Sequence, residues 1–75
     1  MPKYEYEVME QRIVPPLRGG QSFAAKPIIL EVIGERKRKE VLTLPERWGQ
    51  TAVEARSKAE ADANDWIAEH EQGGG

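Results

Sequence analysis

Hydrophobic and polar positions alternate from the start of the chain. In residues 3–13, Tyr4, Tyr6 and Val8 fall on one side of an extended backbone, and Glu5, Glu7 and Met9 on the other. A period of two with aromatic and β-branched residues predicts a half-buried strand. Pro15-Pro16 is expected to end it, because proline offers no ladder donor. Residues 14–25 (VPPLRGGQSFAA) then read as a long flexible loop, given two prolines and two glycines. Residues 27–33 are the most apolar run and predict a second strand. Gly34 to Arg38 is a polar turn. Residues 39–44 form a third strand, stopped by Pro45. The last two strands make a β-hairpin.

The period changes after residue 50. Thr51-Ala52-Val53-Glu54 has the form of a capping box, in which the threonine hydroxyl accepts from the N–H three residues on. No glycine or proline follows until the chain end. Ala52, Ala55, Ala59, Ala63, Trp66 and His70 share one stripe at helical spacing. A stripe of alanines implies close approach to a flat partner, and a sheet is the natural one. The predicted class is therefore α+β: a three-stranded antiparallel sheet with one C-terminal helix on one face, in the order β-β-β-α. Residues 1–72 form the single domain, and residues 73–75 a disordered glycine tail.

This architecture leaves one face uncovered. Tyr4, Tyr6, Val8, Ile28, Leu30, Val32, Leu42 and Leu44 are expected to face the helix. The other side then carries Glu5, Glu7, Met9, Ile29, Glu31, Ile33, Val41 and Thr43. An exposed apolar set on such a face points to association, and open sheet edges point the same way. Met9, Ile29, Ile33 and Val41 are the expected protein interface, for a second copy or another protein.

Composition narrows the chemistry. The 75 residues contain no cysteine and one histidine, which excludes disulfides, thiolate metal sites and His clusters. No nucleophile–base set, metal-ligand spacing or phosphate-binding glycine loop is present. A non-catalytic protein without cofactor is expected, and no small-molecule substrate is evident. No apolar run is long enough to span a membrane. The first residues, MPKYEYEV, are charged and alternating rather than signal-like, so a cytoplasmic location is expected.

Charge adds a second reading. The net charge of −2 divides into +2 over residues 1–50 and −4 over residues 51–75. Within the basic half, Arg36, Lys37, Arg38 and Lys39 are consecutive at the hairpin tip. Together with Arg47, and with Arg12 and Arg18 as further candidates, they could contact phosphates. Glu35 and Glu40 flank the run and partly cancel it, so a solvated turn is the plainer alternative. The Leu17-Arg18-Gly19-Gly20 stretch is too short for an RNA-binding repeat. The terminal glycines invite comparison with ubiquitin-like carriers, but those place a strand, not a helix, before the tail.

Trp48-Gly49-Gln50-Thr51-Ala52-Val53-Glu54-Ala55, followed by Ala59, Ala63 and Trp66-Ile67, resembles two known patterns. One is the strand-to-helix junction of HicB-type antitoxins. The other is the arm-type DNA-binding domain of phage-type tyrosine integrases, which is β-β-β-α with basic hairpins. Either likeness covers residues 34–68. The integrase likeness implies DNA reading by the sheet face. In this chain that face carries Glu5, Glu7 and Glu31, which would repel phosphates. HicB-type proteins resemble a longer domain, usually with a separate DNA-binding segment, whereas this sequence stops after the helix.

Overall fold

A computed structural model describes residues 3–17 and 20–73. The elements follow in the order β1 (Tyr4–Leu17), β2 (Gln21–Val32), β3 (Arg38–Thr43), β4 (Arg47–Gly49) and α1 (Ala52–Gly73). β2 is central: β1 lies antiparallel on one side, and β3 and β4 lie antiparallel on the other. The α+β class and the β-β-β-α order expected from the sequence are present, with β4 as an addition.

β4 is set apart from β3 by a break at which two prolines meet, Pro27 on β2 and Pro45 between the strands. In an antiparallel ladder, alternate residues turn their N–H and C=O to opposite sides. Val32 donates to the Lys3 carbonyl at 2.8 Å, which sets this alternation for β1 and β2. It turns Ala25, Pro27 and Ile29 toward the third strand. Pro27 can offer only its carbonyl there, and Leu44 N–H takes it at 2.9 Å. The ladder breaks at Leu44 to Glu46, where Pro45 also lacks a donor. It resumes where Arg47 stands opposite Ala25. β3 and β4 are thus one edge interrupted by Pro27, which is itself fully buried.

The other prolines behave differently from expectation. β1 does not stop at Pro15 but runs to Leu17, and β2 begins at Gln21. The expected loop over residues 14–25 is therefore mostly strand. β1 pairs only with β2, and an edge strand tolerates proline where its N–H side faces solvent. The ladder accommodates the pair through a register shift between Arg12 and Leu17. Gly20, at φ 75°, supplies the left-handed conformation of the connecting turn. Arg18 and Gly19, and the tail residues Gly74 and Gly75, lie outside the described residues.

The helix starts as the sequence suggests. Glu54 N–H donates to Thr51 Oγ1 at 3.1 Å. Glu54 does not complete the box in return; its carboxylate accepts from Lys58 Nζ at 3.3 Å. α1 runs alongside β2, from β4 at its start to Tyr4 at its end. The core is lean: Ala25, Ala55 and Ala59 form its centre, with Val8 and Phe23 packed against them. Alanine on both sides brings helix and sheet close. Gly49 is part of that fit, because a Cβ there would stand 2.7 Å from Ala55 N and 2.9 Å from Glu54 Cβ. At the far end Trp66 meets the Tyr4 ring edge-on at 5.0 Å and stacks on His70 at 3.7 Å. Among the described residues no helix is long and apolar enough to cross a membrane.

One expectation about the faces is reversed. Residues opposite each other in a ladder share a face. Tyr6 stands opposite Ile29, and Val8 opposite Pro27. Ile29 therefore lies on the helix side with Tyr6 and Leu42, and is 0% exposed. Ile28, Leu30 and Val32 lie on the side away from the helix. The sequence assigns these residues the other way round, because an unbroken apolar run carries no period-two signal to fix its parity.

Candidate functional site: the bare sheet face and the free edge

The face turned away from α1 carries no second layer among the described residues. On it, Glu5 stands opposite Leu30, Glu7 opposite Ile28, and Met9 opposite Lys26. Trp48 of β4 joins them opposite Ala24. Met9 and Trp48 are 61% and 39% exposed and flank the central strand from its two sides. At the other end of this face Arg38 grips Glu5 with two nitrogens, Nε at 2.8 Å and Nη2 at 3.2 Å. The hydrogen bond from Arg38 is the main cause that holds the Glu5 carboxyl below its ordinary pKa. Partial burial opposes it, and the charges of Arg38 and Lys3 add to it.

The four expected interface residues do not form one patch. Met9 is on the bare face. Ile29 is corrected to the core, where it is unavailable to any partner. Ile33 is 56% exposed but lies beyond β2 in the turn, its N–H bonded to the Lys37 carbonyl at 3.1 Å. Val41 is 43% exposed at the register shift of β3. Trp48 is the residue the sequence reading misses as a surface group, because β4 is too short to show a period.

The basic residues are also dispersed. Arg36, Lys37 and Lys39 are exposed at the hairpin tip. Arg38 is committed to Glu5. Arg47 is at the opposite end of the sheet, where Nη1 donates to both Asp62 oxygens at 2.8 Å. It ties β4 to the helix and is no part of the tip. Arg12 is opposite Phe23, likewise far from the tip.

The β1 edge is the second open feature. Lys3 pairs with Val32, so Glu5, Glu7, Met9 and Gln11 turn their backbone groups toward β2. Tyr4, Tyr6, Val8, Glu10 and Arg12 turn theirs outward. Tyr4 N–H is capped by Glu71 Oε2 of α1 at 2.9 Å. Among the described residues nothing caps the next four.

The described residues enclose no cavity and hold no cluster of His, Cys, Asp or Glu suited to a metal. His70 is exposed, with Nδ1 2.8 Å from the Trp66 carbonyl. Comparison of the chain with protein-family models, with curated proteins and with solved structures finds no match in any of the three.

Proposed function

We propose that this chain is a small non-catalytic interaction module, which binds a protein partner or a second copy through the bare sheet face and the open edge beside it. The observation that carries the reading is the exposure of Met9 and Trp48 on a face that no element among the described residues covers. An apolar group left in water gains about 25 cal/mol for each Å² that association buries. Aromatic and methionine side chains are enriched in the buried centres of protein interfaces. The Glu5–Arg38 pair supplies a polar rim at one end of the face.

Size-exclusion chromatography with light scattering, over a concentration series, tests the self-associating form. The expected result is a concentration-dependent dimer. Affinity capture with the wild-type chain and with Trp48→Glu tests the form with another protein: a specific partner should be retained by the first and lost by the second. A strict monomer that retains nothing Trp48-dependent would refute the proposal.

A second reading has one observation behind it. Arg36, Lys37 and Lys39 are exposed at the tip and make no ion pair among the described residues. Three unpaired cations at one tip would hold a nucleic-acid backbone electrostatically. Binding to duplex DNA should then weaken steeply with salt and with Arg36→Ala and Lys37→Ala. Absence of binding at low salt would dispose of it.

A further inference from the structure

The free edge of β1 has two stops. At one end Glu71 occupies the Tyr4 N–H. At the other, the register shifts after Arg12 and Pro15 follows, without a donor. Between the stops the outward backbone groups belong to Tyr6, Val8, Glu10 and Arg12. Exposed edges invite pairing, and proteins usually break them with bulges, charges or cover. The opposite edge is broken in this way, at Val41 and at Leu44 to Glu46. The window on β1 carries Glu10 and Arg12 but keeps an unbroken register from Tyr4 to Arg12.

This window is symmetric about Met9. An antiparallel copy of β1, related by a two-fold axis through Met9, brings Tyr6 opposite the partner's Arg12 and Val8 opposite the partner's Glu10. Each of the four outward residues then meets another outward residue, for about eight ladder hydrogen bonds. On the bare face Glu7 meets the partner's Gln11. No two like charges stand directly opposite, which such pairs require. Met9, 61% exposed in the single chain, would be buried against the partner's Met9 on the axis.

We infer that β1 pairs with a second copy of itself in this register, joining the two sheets edge to edge. The inference rests on the interaction reading above and gives that reading a partner and a geometry.

The absence of cysteine makes a clean test. On the axis Met9 and its mate form a non-hydrogen-bonded pair with Cα atoms about 4.5 Å apart, within the span of a disulfide. Met9→Cys should yield a covalent dimer on mild oxidation, roughly tenfold faster than Glu7→Cys, which is exposed on the same face but whose mate would be offset along the strand. Adding Glu10→Pro removes one outward donor without touching the β1–β2 ladder, and should abolish the cross-link while circular dichroism stays unchanged; Glu10→Gln, which weakens only the 3.1 Å tie to Arg56, should keep it. Adding Trp48→Glu should leave the cross-link intact. Equal linking of Glu7→Cys, or a monomer under all conditions, overturns the inference. A cross-link lost with Trp48→Glu but kept with Glu10→Pro would mean face-to-face association. That result overturns the edge geometry and leaves the interaction reading standing.

Discussion

Ile28 and Ile29 are neighbours in sequence and opposites in surroundings. Ile29 points to the helix and is enclosed by a second layer. Ile28 points to the bare face and is shielded only by its neighbours within the sheet, with Glu7 and Thr43 across the ladders on either side. Both are buried, Ile29 at 0% and Ile28 at 8% exposure. Low exposure alone therefore does not mark the inside of this protein: one layer can hide a central strand's side chains without a core behind them. The covered face holds the fold together, and the bare face is left for other work.

The sharpest way to break this comparison is to truncate each isoleucine. Ile29→Ala should cost about 2–5 kcal/mol, because it opens a cavity between sheet and helix. Ile28→Ala should cost about 2 kcal/mol, the transfer term without an enclosed void. Urea denaturation of both variants reads the difference. Equal losses would mean that the bare face is covered in solution, as association would make it.

Gly49→Ala probes the closeness of the covered side. Its Cβ would press on the Ala55 backbone at 2.7 Å, so β4 or the first helical turn must shift. A loss of about 1–2 kcal/mol is expected in the same denaturation experiment. An unchanged midpoint would show that β4 is not seated beneath the helix start.

Each face also carries an arginine that engages both oxygens of one carboxylate, Arg47 on Asp62 and Arg38 on Glu5. Arg47→Ala severs β4 from Asp62 and should cost about 0.5–1 kcal/mol, since both partners remain partly in water. Thermal unfolding of Arg47→Ala and of Asp62→Ala tests this, and the double variant should lose little more than either alone.

On the bare face the Glu5–Arg38 pair has the smallest effect, and it is seen in titration. The folded carboxyl of Glu5 lies below its ordinary value. Its contribution is present above the unfolded pKa and lost as pH falls through the folded one, below the usual carboxylate range. Carbon NMR of Glu5 should give a depressed midpoint, and Arg38→Gln should raise it toward the ordinary glutamate value. A midpoint indifferent to that substitution would show that Arg38 does not hold it.

The strongly periodic parts of the fold are legible in the sequence. Thr51 caps the helix, the alanine stripe faces the sheet, and Tyr4, Tyr6 and Val8 face the helix as their alternation predicts. The failures have physical causes. Ile28-Ile29-Leu30 is apolar on both sides, so only cross-strand register decides which residue enters the core. Pro15 reads as a stop, yet β1 carries it within an irregular stretch between Arg12 and Leu17. Pro27 reads as the start of a strand, yet it lies inside one. The outward set on β1 is invisible in side-chain patterns, because it depends on which way the backbone groups point. Arg47 counts as one more cation in the sequence, and only the fold pairs it with Asp62.

Pro27 divides more than a ladder. On the β4 side of the gap, three ties run to α1: Lys58 Nζ to the Trp48 carbonyl at 2.9 Å, Arg47 to Asp62, and Gly49 beneath Ala55. On the β3 side, the strand is fastened to β2 by its ladder and to Glu5 of β1 by Arg38, and among the described residues it has no tie to α1. The seam therefore separates two units of amide protection. β4 should exchange its protons with the first turns of the helix, while β3 and the hairpin tip open independently and sooner.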